Sequence, residues 1–395
     1  MSFDFSINDT AEPKMATPGL NKATLLFLAL AAIGVSFGLY AFYVGHHVAY
    51  NNTREMPWGI LIAGYAFFAI TSTGLCLLAA ISHAFGGNQL APLSNRMVYM
   101  SIVTIIGGFS LIGVEIENPH RMLLYNMLTP NFTSNIWWMG TLYGMAVGFM
   151  FVEFFSILTD RLKLAVILGV MGALAEVMAN TNLGAVFATL SARPFWYGSQ
   201  LPIYFLASAF LSGAAAIVMF THFAYKLRNE KIPHHILKGL HSAGKIMALV
   251  LFLIIVATSW RFISFFVGGA EQGRLAAESF LKGPLAINFW IFEITIGLVV
   301  PLIILVVSQL KSVPSKAIAA MMILVGQFFQ RYDLVVAGQI VPQSFGWDDL
   351  PTYFSYIPSL AEFMVTLGGM CVVGAGFLLG ERFFGQKFNQ KEHHH

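Results

Sequence analysis

Residues 58–82 read WGILIAGYAFFAITSTGLCLLAAIS, with no Asp, Glu, Lys, Arg or Pro from Trp58 to Ser82. A helix rises about 1.5 Å per residue, so the run spans roughly 37 Å, enough for a hydrocarbon core of about 30 Å. Apolar and polar residues do not alternate along it, as a barrel strand would require. An open strand in lipid would leave its backbone groups unpaired. The run therefore reads as a transmembrane helix.

Nine further segments of the same kind lie near 23–44, 97–117, 135–159, 162–190, 201–225, 244–269, 286–310, 316–341 and 358–381. The fold class is an all-α integral membrane protein of about ten transmembrane helices. Composition agrees: charged residues make up 10% of the chain, against roughly 25% in soluble domains. So little charge cannot coat a water-facing surface. Phe and Gly, 36 each, suit helices packed in lipid. Cys76 and Cys371 lie inside apolar runs and read as small core residues. Two cysteines are too few for an iron–sulfur cluster, which takes about four thiolates. The first 22 residues are polar and show no cleavable leader. The closing Lys391-Glu392-His393-His394-His395 reads as the remnant of an affinity tag.

Lys and Arg set the orientation. If the helices alternate, fifteen fall on the side of the termini (Lys14, Lys22, Arg96, Arg161, Lys163, Lys226, Arg228, Lys231, Lys238, Lys245, Lys311, Lys316, Arg382, Lys387, Lys391). Five fall on the other (Arg54, Arg121, Arg193, Arg274, Lys282). The expectation is that both termini and the 226–245 loop are cytoplasmic, with His234, His235 and His241 in a basic loop facing anionic lipid. The outer loops are then 45–57, 118–134, 191–200, 270–285 and 342–357, with Trp58, Trp137, Trp138, Trp196 and Trp347 as an aromatic belt.

Ionisable groups inside a membrane cost a few kcal/mol each on insertion scales and mark candidate sites. The first half holds Glu115 near the outer face, Glu153 toward the inner face and Glu176 near the middle, with Asn180 and Asn182 close by. Glu115 and Glu153 also read as helix-end carboxylates; Glu176 lies too deep to snorkel. The second half holds Arg261, Glu293, Arg331 and Asp333, with Gln327 and Gln330. Two positive and two negative charges predict a compensated buried cluster, which would either hold helices together or move protons. A bis-His haem needs histidines deep in facing helices, whereas His46, His47, His83, His120 and His222 fall at segment ends. No haem is expected. No spacing for zinc or calcium is present, and no phosphate-binding loop.

Two stretches resemble a known family. Pro57-Trp58-Gly59 opens a helix that continues through Thr73-Gly74-Leu75 to Ala79-Ala80. Glu115-Ile116-Glu117-Asn118-Pro119-His120-Arg121 leads to Leu128-Thr129-Pro130-Asn131-Phe132-Thr133-Ser134 and Trp137-Trp138. The second is similar to the acidic–Leu–Gly–Arg–Pro–x–Arg…Pro–Asn loop of the polysulfide reductase membrane subunits, the NrfD type. Ser191-Ala192-Arg193-Pro194-Phe195-Trp196 resembles the same family. So does the closing Tyr356-Ile357-Pro358-Ser359, Glu362 and Thr366-Leu367-Gly368, most like its ten-helix members. Here Glu117-Asn118 stand where the family has Gly-Arg, and no His lies within 58–82, where Tyr65 is the nearest polar ring.

The resemblance implies two four-helix bundles with flanking helices and no redox cofactor in the chain. It divides the sequence into a tail (1–22), a flanking helix and outer loop (23–57), a quinone-binding bundle (58–190), a second bundle (191–341), a closing helix (342–385) and a tail (386–395). It implies a quinone substrate, menaquinone or ubiquinone, near the outer face. A ferredoxin-like iron–sulfur subunit would dock there and serve a catalytic subunit, in some members molybdenum-containing. Tyr65, Glu115, His120, Arg121, Asn182 and Arg193 are the expected quinone-binding residues. Glu153, Glu176, Asn180, Arg261, Glu293, Arg331 and Asp333 are the expected proton relay. The setting would be a bacterial or archaeal cytoplasmic membrane, with lipid as a neighbour and no nucleic acid. A secondary transporter built of two repeats, or a silent membrane anchor, stands as the alternative.

Overall fold

A computed structural model describes residues 17–84, 87–344 and 349–389. Trp347 and the outermost residues of both tails lie outside the described residues. Ten of the described helices are long and apolar enough to cross a membrane, and no strand occurs among the described residues. The protein is a multi-pass α-helical membrane protein.

In chain order the spans are α1 (Pro18–Val44), α3 (Ile60–Ala84), α4 (Ala91–Glu115), α6 (Asn135–Leu158), α7 (Leu162–Ala188), α8 (Gln200–Arg228), α9 (His234–Gly268), α11 (Asn288–Val307), α12 (Val313–Ile340) and α13 (Leu360–Asn389). Three short helices lie between them: α2 (His46–Ala49), α5 (Pro119–Leu128) and α10 (Glu271–Leu281). Local chemistry sets several starts. Thr17 accepts from Leu20 N ahead of Pro18, Ser134 from Trp137 N, and Ser312 from Ser315 N, so side-chain oxygens satisfy first-turn N–H groups. Asn229 ends α8 in the left-handed conformation (φ 56°), which Asn tolerates better than most residues.

Both described ends meet α8. The Thr17 hydroxyl donates to Leu227 O (3.1 Å) and the Tyr225 hydroxyl to Asn389 Oδ1 (2.5 Å). We name that end of the bundle the tail side and the opposite end the far side. Helix α3 is the most enclosed span, with 89% of its apolar window buried against 22% for α1. It packs on α4, α7, α8 and α12. Two crossings need glycine. A Cβ on Gly74 would stand 1.8 Å from the Ala209 carbonyl oxygen, and one on Gly326 would stand 2.2 Å from Gly297 Cα. Small residues let backbones approach where lipid supplies no hydrophobic drive.

Three expectations need correction. The 226–245 stretch is not a long loop: α8 runs to Arg228 and α9 begins at His234. Arg96, Arg228 and Lys316, counted among the charges that set orientation on the side of the termini, are buried. Two of them have a counter-ion. Glu381 Oε1 meets Arg96 Nε at 2.6 Å and Glu381 Oε2 meets Arg228 Nη2 at 2.7 Å. The 286–310 segment is not uniformly α-helical, because Asn288–Val299 is π-wound and α-helix resumes at Val300. Pro301 has no N–H to offer the turn before it.

Candidate functional site

At the far side, α4 ends on Glu115. The Asn52 amide donates to Glu115 Oε1 (2.8 Å), while Glu115 Oε2 is buried without a hydrogen-bond partner. Tyr50 donates to Val114 O (3.3 Å) and stacks on His46. Two turns down α4, Gly108 faces the Tyr65 ring on α3. Two helical turns are about 11 Å of rise, so Glu115 and Tyr65 share one side of the α3–α4 pair at different depths. Tyr65 lies edge-on to Tyr143 of α6, with ring centroids 6.4 Å apart. The Tyr143 hydroxyl is buried without a partner.

Glu176 of α7 is fully buried. Thr73 donates to its Oε2 (2.5 Å) and Ser72 to its Oε1 (3.2 Å). Ser72 in turn pairs with Ser101 of α4 (2.9 Å). Asn180, one turn farther along α7, is buried with neither side-chain atom bonded. Toward the tail side, Glu153 Oε1 is 3.6 Å from His83 Nδ1. Gly169 leaves room for that carboxyl, since a Cβ there would stand 2.5 Å from Glu153 Oε1. Buried carboxyls, hydroxyls and an amide thus recur at several depths of α3, α6 and α7. Such groups accept or pass protons.

Other expected quinone-site residues are not brought to Glu115. His120 and Arg121 lie on α5, a helix with no buried residue. Asn182 donates to Asn135 O (2.7 Å), tying α7 to the start of α6. The Arg193 guanidinium reaches Gln339 O and Val341 O (3.4 Å each) at the end of α12. Partial burial lowers its pKa below the ordinary arginine value. Beside it Trp196 stacks with Trp58 and donates to Leu334 O (2.7 Å). Gln339 clamps the Trp58 backbone from both sides, accepting from its N (3.0 Å) and donating to its O (2.9 Å).

In the second half no two of the four charges lie within 4 Å of each other as a direct ion pair among the described residues, and Arg261 and Glu293 line one small cavity. Arg331 bonds Ser208 and lies 4.6 Å from the centroid of the Phe205 ring. Arg261 donates to Phe195 O (3.3 Å) and stacks on the Phe195 ring at 4.4 Å. Glu293, in the π-wound part of α11, accepts from Gln330 (3.4 Å), which also donates to the Tyr204 hydroxyl. Asp333 accepts from Asn288 (3.0 Å). Ring faces and neutral amides take the place of opposite charges. A small cavity lined by Arg261, Glu293, Gln330, Tyr204 and Thr258 opens between them, with about 10 Å³ of space, on the order of one water.

Sequence reasoning missed Asn52, Tyr143, Ser72, Thr73, Gln339 and Glu381. Ser72 and Thr73 are ordinary inside a membrane run, where hydroxyls often bond their own helix. Glu381 stands beside Arg382 at the end of the 358–381 segment read from the sequence, a place where charges are common, whereas α13 runs on to Asn389.

The sequence profile described as polysulphide reductase, NrfD, matches residues 48–343. The chain belongs to the NrfD family. The NrfD match begins within α2 and ends just past α12, so it contains Glu115, Glu153, Glu176 and the second-half charges but neither α1 nor α13. Among relatives, the Hdr-like menaquinol oxidoreductase integral membrane subunit of Archaeoglobus fulgidus is 22% identical over 388 residues, covering 91% of this chain and 92% of the relative. A selenate reductase subunit of Mesobacillus selenatarsenatis is 21% identical over 368 residues, covering 81% and 84%. The protein NrfD homolog of Haemophilus influenzae is 26% identical over 324 residues, covering 73% and 96%.

Proposed function

We propose that this NrfD-family chain is the quinone-reactive membrane subunit of a respiratory oxidoreductase complex in a bacterial or archaeal cytoplasmic membrane. It exchanges electrons between menaquinone or ubiquinone and a ferredoxin-like iron–sulfur subunit docked on the far side. That subunit serves a catalytic subunit. The relatives named as a menaquinol oxidoreductase subunit and a selenate reductase subunit support this reading over a transporter. The observation that carries it is Glu115, a carboxyl at the far-side end of α4 with one oxygen held by Asn52 and the other unpartnered.

Oxidising a quinol releases two electrons and two protons. The electrons leave for the partner's cluster, and each proton needs an acceptor near the ring. Glu115 Oε2 is free to accept the first, hand it on and then accept the second, and Asn52 holds the other oxygen in place. Tyr65 and Tyr143 line the deeper approach to Glu176, whose carboxyl with Ser72, Thr73 and Asn180 forms an inward relay toward Glu153. Quinone reduction runs the same steps in reverse. Glu115→Gln keeps the shape and removes the acceptor. Quinol-dependent turnover of the purified native complex should fall about 100-fold or more, with assembly unchanged. Near-normal turnover would reduce Glu115 to a helix-end carboxylate.

A further inference from the structure

We infer that Glu362 is a positioning residue for Glu115, acting through the chain segment that carries Asn52. The inference rests on the reading of Glu115 as proton acceptor. It reaches into α13, which the family match does not include.

Asn52 touches Glu115 through one side-chain bond, and its own Oδ1 is buried and unpartnered. Its amide is therefore placed by the backbone on which it sits, and three bonds tie that backbone to the start of α13. Ser359 donates to Ala49 O (2.7 Å), Asn51 Nδ2 donates to Ile357 O (2.9 Å), and Asn51 N donates to Glu362 Oε2 (3.0 Å). Glu362 is fully buried. Its Oε2 also accepts from Ser359 N (2.8 Å), and its Oε1 from the Tyr356 hydroxyl (2.5 Å), which itself accepts from Ile60 N (2.9 Å). One carboxylate thus gathers the 49–52 segment, the 356–359 segment and, through Tyr356, the first turn of α3. Gly59 makes the convergence possible: a Cβ there would stand 2.1 Å from the Tyr356 oxygen and 2.7 Å from Asn52 Oδ1.

A helix cap explains only part of this. Ser359 and Glu362 form a reciprocal capping box, with Glu362 N donating to Ser359 Oγ (3.2 Å). The bonds from Asn51 N and Tyr356 are not needed to cap α13. They bring two further donors onto the one carboxyl group. A glutamine has one acceptor oxygen and would turn an NH2 toward donors. Glu362→Gln therefore keeps volume but cannot keep all three bonds.

The experiment uses the native complex with Glu362→Gln, Tyr356→Phe, Asn52→Leu and Glu115→Gln, singly and with Glu362→Gln added to Asn52→Leu. Quinol kcat and KM are measured, and hydrogen exchange is followed over 49–56. Glu362→Gln should lower kcat about tenfold or more, leave KM near its starting value and speed exchange at Asn51. Glu362→Asp should restore part of the rate. Added to Asn52→Leu, Glu362→Gln should cost little more, since both act through one path. Tyr356→Phe removes the bond to Glu362 and the one from Ile60 N but leaves Asn51 N and Ser359 N on the carboxylate; it should give a smaller loss of the same kind, which keeps the test open if Glu362→Gln does not assemble. Full turnover in Glu362→Gln, or a loss that multiplies with that of Asn52→Leu, overturns the inference while a dead Glu115→Gln still upholds the site. A silent Glu115→Gln sinks the site reading, and with it any role for Glu362 through Glu115.

Discussion

Three carboxyls of the bundle, Glu381, Glu176 and Glu115, are answered in three different ways, and each gives a different response to substitution. Glu381 is answered by two guanidiniums, Arg96 and Arg228, with Arg228 also donating to the Glu381 carbonyl (2.6 Å). All three side chains are fully enclosed. Glu381→Gln leaves two like charges with no counter-ion, and losing one partner of a buried pair costs about 3–5 kcal/mol. The variant should show a clearly lower melting temperature in detergent or fail to accumulate, whereas replacing Arg96, Arg228 and Glu381 together by apolar residues should recover much of the loss. An unchanged melting temperature in Glu381→Gln would mean that water reaches the cluster. Glu176 is answered by hydroxyls and Glu115 by one amide. The carboxyls themselves were legible, since a charge inside an apolar run has few bland explanations. Their partners were not, because Ser, Thr and Asn are common in membrane helices and only the crossing of α3 with α4 and α7 selects Ser72 and Thr73.

At the scale of elements, the second half departs most from its sequence. The charges of α9, α11 and α12 were legible, but their pairing was not. The π-winding of Asn288–Val299 changes which face Asn288 and Glu293 present, and such winding is frequent at functional sites. The four charges are spread over ring faces, Ser208, Asn288 and Gln330 instead of meeting one another. Glu293 accepts from Gln330, which also donates to the Tyr204 hydroxyl, and the Arg331 guanidinium lies 5.9 Å from the Tyr204 ring centroid, whereas Asp333 is held by Asn288. Arg331→Ala should lower the melting temperature, Glu293→Gln should partly rescue it, and Asp333→Asn should rescue it less. If the group also moves protons, Arg331→Lys should keep the fold and alter vesicle acidification per electron pair. Equal rescue by both carboxylate variants would show that Asp333 pairs with Arg331 in the membrane. No change in melting or in proton stoichiometry in any variant would leave this half as scaffold.

For the whole molecule, the ten spans were legible because length and apolarity suffice to name a membrane helix, and the described ends lie together at α8 as an even number of spans requires. Orientation rests on the fifteen-to-five distribution of Lys and Arg. Three of the fifteen are buried, and a buried Arg96 bound to Glu381 reports packing, not a loop held back during insertion. The excess survives their removal, because Lys22, Arg161, Lys163, Lys226, Lys231, Lys238, Lys245, Lys311, Arg382 and Lys387 all remain on the tail side. On the far side Arg193 is spent on backbone carbonyls and Arg274 on Glu271 and Glu278, which leaves few free cations there. Short loops rich in Lys and Arg stay in the cytoplasm. A reporter active only outside the cytoplasm should therefore be silent when fused after Asn389 and active when inserted in the far-side loop near Arg54. The reverse pattern would put Glu115, and with it the proposed docking face, on the cytoplasmic side.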